Sequence, residues 1–117
     1  MRKLRLAVVG AGRLGGFHAQ KIALNDRTDL IAVADPDAAS RDRVATECNV
    51  PAVADYRQLL EQGEKAGQIG QVDAAVIAAP SRLHHSIGLD LIERGIHVLI
   101  EKPLAVDVAQ ADELVAA

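Results

Sequence analysis

Aromatic rings are nearly missing from this chain. Among 117 residues there is no tryptophan, and Phe17 and Tyr56 are the only phenylalanine and tyrosine. A core built on stacked rings is excluded, so burial has to come from aliphatic side chains, which suits a parallel sheet packed under helices. Cysteine is reduced to Cys48, which excludes an intrachain disulfide and fits a reducing cytosol. Basic residues form no run and the formal net charge is −3, so nucleic acid is not an expected partner. No apolar stretch is long enough to span a bilayer. The opening MRKLRLAVVGAG briefly looks like a signal peptide, but its apolar run is too short and ends in a glycine turn rather than a cleavage site. These absences point to a cytoplasmic address, away from membranes. The length points to one domain, residues 1–117, burying roughly two-thirds of its unfolded surface.

What is present is organised around Leu4 to Gly16, LRLAVVGAGRLGG. Leu6, Ala7, Val8 and Val9 read as a buried strand. Gly10, Gly12 and Gly15 follow with the spacing G-x-G-x-x-G, and the chain then enters a helix from Arg13 to Leu24. Gly10 permits the tight turn, and Gly12 removes a side chain that would hold a pyrophosphate off the backbone. Gly15 lets the helix sit close to its strand, with Ala19 and Ile22 continuing that face. The free N–H groups of the first turn, at positions such as Arg13 and Leu14, then face phosphate with the positive end of the helix dipole. Asp35 stands twenty residues past Gly15, the acid such a loop is paired with.

The remaining chain alternates strands and helices. Asp29–Asp35 is the second strand, stopped by Pro36, and Asp37 caps a helix from about Ala38 to Glu47. Val50–Ala54 is a weak third strand because Pro51 lies in it, and Asp55 caps a helix through Tyr56, Leu59 and Leu60. Gln62–Gln71, with three glycines, reads as a frayed helix end and a surface loop. Asp73–Ala79 is the fourth strand, stopped by Pro80. Leu83, Ile87 and Leu91 mark the buried stripe of a helix that ends at Gly95. Ile96–Ile100 is the fifth strand, followed by Glu101-Lys102-Pro103 and a helix from Val106. This pattern predicts an α/β fold with a doubly wound parallel sheet in the order 3-2-1-4-5.

Ligands in such sheets bind outside the carboxyl ends of the strands. Gly10–Gly15, Asp35, Ala79–Ser81 and Glu101–Pro103 all fall there. Asp35 can accept hydrogen bonds from both adenosine ribose hydroxyls and repel a 2′-phosphate, favouring NAD over NADP; otherwise it is a helix cap before Pro36. Arg41 and Arg43 could offset that repulsion, but on a short helix they read as solvated. Lys102 could donate or accept a proton once burial and a cationic nicotinamide lower its pKa, with Glu101 orienting it or touching the ribose; otherwise the two belong to a surface Lys-Pro turn. His84 is expected to line the cofactor pocket. His84 and His85 point about 100° apart on a helix, so no shared metal is expected. His85, His18 and His97 read as partly exposed residues without a role, and Cys48 as core beside Val44.

Three motifs together, GAGRLGGFHA at the first turn, APSRLHH after the fourth strand and EKPLA after the fifth, resemble the N-terminal half of the Gfo/Idh/MocA oxidoreductases. That group includes glucose-fructose oxidoreductase and inositol dehydrogenase relatives. The resemblance covers the whole chain and implies a Rossmann domain of an NAD(P)-dependent dehydrogenase acting by hydride transfer on a sugar, polyol or related small molecule. It maps the family's cofactor loop onto Gly10, Gly12 and Gly15 and its ribose-selecting residue onto Asp35; with the positions at the strand ends, Arg13, Leu14, Ala79, Pro80, Leu83, His84, Glu101 and Lys102 complete the expected cofactor-binding set. It also implies Lys102 as the catalytic residue that serves both the cofactor and the reacting hydroxyl. The family continues where this chain stops, into a sixth strand and a large α/β domain that holds substrate and carries a further proton-transfer histidine. The substrate domain is therefore expected to be absent, the chain inactive alone and prone to self-associate. The scarcity of aromatic faces fits that absence. Two other readings stay open: a stand-alone NAD-binding or sensing module, and an S-adenosylmethionine-binding α/β domain. The third glycine and the EKP argue against the second.

Overall fold

The computed structural model describes residues 3–60, 71–102, 105 and 107–117. The first strand, β1 (Leu4–Val9), leads into helix α1 (Arg13–Leu24), and β2 (Thr28–Ala34) into α2 (Ala38–Cys48). A two-residue strand, β3 (Ala52–Val53), precedes a 3-10 helix at Tyr56–Leu60. Strand β4 (Ala74–Ile77) is followed by a 3-10 turn at Ser81–Leu83 and helix α3 (His84–Glu93). Strand β5 (His97–Ile100) and helix α4 (Val108–Ala116) complete the described chain. The five strands form one parallel sheet in the order β3-β2-β1-β4-β5, the order the strand–helix alternation predicts.

The central strands β1, β2 and β4 are buried on both faces over most of their length because they are continuous aliphatic runs, whereas the edge strand β5 alternates, with Leu99 exposed. Successive residues of β1 divide between the two layers. Ala7 and Val9 join Ala32, Ile77, Ile87 and Leu91 under α3, while Val8 joins Ala19, Val33 and Val44 under α1 and α2. Each large aliphatic side chain withdrawn in this way contributes about 1.5–3 kcal/mol, which compensates for the lack of rings.

Several elements differ from the sequence reading in extent, each for a local reason. The third strand shrinks from Val50–Ala54 to two residues because Pro51 has no N–H for the ladder, although its carbonyl still accepts from Val33 N at 3.1 Å. The segment after Asp55 is a 3-10 helix, and Leu83 precedes α3 instead of lying within it. The last helix starts at Val108, where the Asp107 side chain accepts from Gln110 N at 2.8 Å; Val106 lies outside the described residues. The loop expected over Gln62–Gln71 also lies outside them, apart from Gln71 itself. Asp37 caps α2 as expected, accepting from Ser40 N at 3.0 Å, and Gly95 takes the left-handed conformation (φ +79°) that ends α3. Among the described residues, no helix is long and apolar enough to cross a membrane.

Candidate functional site

All five strands end on the same side of the sheet, and a cavity of about 830 Å³ lies across those ends. The glycine loop forms its centre. Gly10 has φ +102°, and a Cβ there would fall 2.6 Å from the Ala78 carbonyl carbon, so only glycine lets β1 turn this close to β4. A Cβ on Gly15 would lie 1.7 Å from the Gly10 carbonyl oxygen; the helix presses directly on the turn. At Gly12 a Cβ would meet nothing within 4 Å, since that side faces the cavity.

Helix α1 begins at the cavity with no side-chain cap and no acid in its first turn. Asp37 and Asp107 cap α2 and α4, whereas neither Gly12 before α1 nor Leu83 before α3 supplies a side-chain cap. The N–H groups at the start of α1 are left for a partner, at the positive end of the helix dipole. An anion is the chemistry such a terminus accepts.

Asp35 sits beside this loop, part-buried. Its Oδ2 accepts from Ala11 N at 2.7 Å and its Oδ1 from Asp37 N at 2.8 Å. The helix-cap role belongs to Asp37; Asp35 instead ties the end of β2 to the glycine loop. A carboxylate has roughly four lone-pair sites, so two backbone donors leave capacity for two hydroxyls. Arg41 is half-buried rather than solvated, and Arg43 is exposed as read from sequence; both also bond backbone carbonyls. Arg41 Nη1 donates to Asp35 O and Pro36 O at 3.3 and 3.2 Å, and Arg43 Nη2 donates to Ala11 O at 3.3 Å. Carbonyls that the strand end and the loop leave unpaired draw the guanidinium groups in.

The β3 end closes one side of the cavity, a wall the sequence reading missed. Arg57 forks onto Asp55, with Nη2–Oδ2 at 3.0 Å and Nε–Oδ1 at 3.1 Å, and its hydrogen bonds hold the Asp55 carboxyl below the usual range. The Arg57 guanidinium carbon lies 5.8 Å from the Tyr56 ring centroid, and the Tyr56 hydroxyl donates to Asp90 on α3. Burial and that carboxylate push the phenol up to about 12. The strand order was the available signal, since it puts the end of β3 next to that of β2.

On the other side, His84 is buried at 1% exposure, with Nε2 2.8 Å from the Ala79 carbonyl oxygen, so its ring closes the turn after β4. His85 goes elsewhere, its Nε2 3.0 Å from Glu113 of α4. At the end of β5, Glu101 N donates to Ile77 O at 3.0 Å, and the Glu101 carboxylate meets Nε2 of His18 on α1. His18 is thus not the role-free residue its sequence position suggested. Lys102 is exposed and makes no ion pair among the described residues, so these residues do not supply the burial its proton-transfer role invokes; Pro103 lies outside the described set.

Of the positions named from sequence, Gly10, Gly12, Leu14, Asp35, Ala79, Pro80, Leu83, His84, Glu101 and Lys102 all line the cavity. Arg13 is exposed and off its wall, and Gly15 is buried beneath it. An uncapped helix start, an open face at Gly12 and a carboxylate one strand away fit a pyrophosphate with an attached ribose. Fold and crevice together define a dinucleotide-binding α/β domain.

Comparison with known proteins narrows the class. The family described as "Oxidoreductase family, NAD-binding Rossmann fold", GFO_IDH_MocA, matches residues 4–117. Inositol 2-dehydrogenase 4 of Saccharopolyspora erythraea is 40% identical over 107 residues, covering 91% of this chain and 30% of that protein. GenD2 from gentamicin A biosynthesis, solved in complex with NAD, superposes with a TM-score of 0.87 at 32% identity, over 99% of this chain and 31% of its own. UDP-N-acetylglucosamine 3-dehydrogenase GnnA from Acidithiobacillus ferrooxidans gives 0.84 at 35% identity, over 99% and 35%. The chain belongs to the Gfo/Idh/MocA oxidoreductase family and matches its NAD-binding Rossmann domain. It spans about a third of the length of the curated relatives it matches.

Proposed function

We propose that residues 1–117 are a single dinucleotide-binding domain serving a dehydrogenase of sugars, polyols or related small molecules. The observation that carries this is the convergence of the uncapped α1 terminus, Asp35 and the Glu101–Lys102 pair on one cavity. In this reading Gly10, Gly12, Arg13, Leu14 and Gly15 hold the pyrophosphate through backbone N–H groups and close approach. Asp35 takes the adenosine ribose and favours NAD over NADP. Ala79, Pro80, Leu83 and His84 form the wall beyond the switch point, and Glu101 and Lys102 lie at the nicotinamide end. The bound nicotinamide supplies a hydride acceptor. Lys102 would be the catalytic residue, passing the proton of the reacting hydroxyl, with the remaining substrate contacts supplied from outside these residues. Relatives named for inositol and for UDP-N-acetylglucosamine support a polyhydroxylated substrate class.

Calorimetry with NAD, NADP and S-adenosylmethionine tests the cofactor. NAD should bind tightest, and binding of S-adenosylmethionine alone would refute the reading. Alone, the chain should turn over no polyol, because hydride transfer needs the carbon held in near-attack geometry; steady NADH production from the purified chain would count against a separate substrate-holding part. The reading also includes a cytoplasmic address and self-association. Strand β5 lies at the sheet edge with Leu99 59% exposed, and Val108 and Val115 of α4 are exposed as well. Strictly monomeric sedimentation at high concentration would refute the association.

A further inference from the structure

His18 lies four residues after Leu14 on α1, so the two share the face that begins at the crevice. That face runs toward the end of β5. There the His18 imidazole meets the Glu101 carboxylate across 83 residues of sequence, with the two side chains 25% and 29% exposed. Glu101 is held at two points: its backbone N–H by the Ile77 carbonyl, and its Oε1 by His18. Lys102, the next residue, has no partner of its own among the described residues. The side chain of Glu101 therefore depends on α1 for its place in the cavity wall.

We infer that His18 is a positioning residue: acting through Glu101, it sets the end of the crevice remote from Asp35. This rests on the cofactor reading above. With the pyrophosphate at the glycine loop and the adenosine ribose at Asp35, the far half of a dinucleotide runs past β4 to the Glu101–Lys102 end. The helix that binds the phosphates and the residues that meet the nicotinamide are then coupled by one side-chain contact, so the two halves of the site stay in register. A structural tether alone would affect every ligand alike. A positioning role affects only ligands that reach the β5 end.

That difference is measurable with NAD and ADP-ribose, which lacks the nicotinamide, titrated into the 117-residue chain. His18→Ala should weaken NAD by about threefold to tenfold, as expected for one lost charge-assisted contact partly replaced by water, and leave ADP-ribose within about twofold. His18→Gln, whose amide can still donate to Glu101, should restore most of the loss, and the shorter His18→Asn should not. Combining His18→Ala with Glu101→Gln should cost no more than the larger single effect, because both break one contact. Equal losses for the two ligands, or a rescue by Asn as good as that by Gln, would overturn the inference while leaving the cofactor reading in place. ADP-ribose binding doubles as the fold control, and His18→Gln against His18→Asn still decides the matter if the alanine variant does not fold. Failure of the unsubstituted chain to bind either ligand would overturn the cofactor reading itself, and this inference with it.

Discussion

The glycines at 12 and 15 look alike in sequence, yet the structure gives their substitution opposite consequences. Gly12 has φ −71° and ψ −159°, which alanine adopts freely, and its Cβ would meet nothing within 4 Å. Alanine is a poorer N-cap than glycine, but it also removes freedom from the unfolded chain, worth about 0.4–1 kcal/mol. Gly12→Ala should therefore keep its stability within about 1 kcal/mol, a melting shift of about 5 °C or less. The new methyl occupies the space a pyrophosphate needs. Overpacking costs about 1–3 kcal/mol, so NAD affinity should fall by about fivefold to 150-fold. Gly15→Ala places its methyl 1.7 Å from the backbone oxygen of Gly10, where no side-chain rotation relieves it. The helix must move off the turn, at a cost on the order of 3–5 kcal/mol, a large share of a small domain's stability. Urea denaturation followed by circular dichroism, with calorimetry of the folded fraction, measures both quantities. A Gly12→Ala protein that bound NAD within twofold of the parent would refute the placement of phosphate at this loop. Destabilisation equal to that of Gly15→Ala would refute the open face at residue 12.

Asp35→Ala should weaken NAD by about tenfold to a hundredfold through loss of charge-assisted ribose bonds, while NADP changes little or improves. Because Asp35 also holds Ala11 N, some loss common to both cofactors is expected, and the test is the NAD/NADP affinity ratio; an unchanged ratio would leave Asp35 a purely structural tie. Tyr56 is the only tyrosine, so phenolate absorbance titrates it directly, with an expected midpoint near 12 against 10.0 unperturbed. The folded state holds this proton more tightly than the unfolded one. The resulting stability is therefore complete below pH 10 and is lost as pH rises toward 12. Tyr56→Phe should remove that alkaline loss, and an unchanged slope between those pH values would exclude the buried Tyr56 phenol as its source.

The sequence by itself determined the strand order, the turn chemistry and most of the crevice. Glycine spacing, aliphatic runs and stops at Pro36 and Pro80 act within a few residues, where backbone sterics and periodicity are decided. Right-handed crossovers then leave one sheet order and bring every strand end to the same side. That is why Gly10, Asp35, Ala79 and Glu101 could be assigned to one site from their positions alone. Tertiary structure alone decided how those residues are held. His18 and Glu101 meet across 83 residues, Tyr56 and Asp90 across 34, and Asp35 and Ala11 across 24. No spacing rule reaches between elements that are separate in sequence. The bond from Arg43 to the Ala11 carbonyl, 32 residues away, has the same origin. A charged side chain settles on whichever unpaired group the packed elements bring near it, and that geometry exists only once the sheet and its helices have closed around the core.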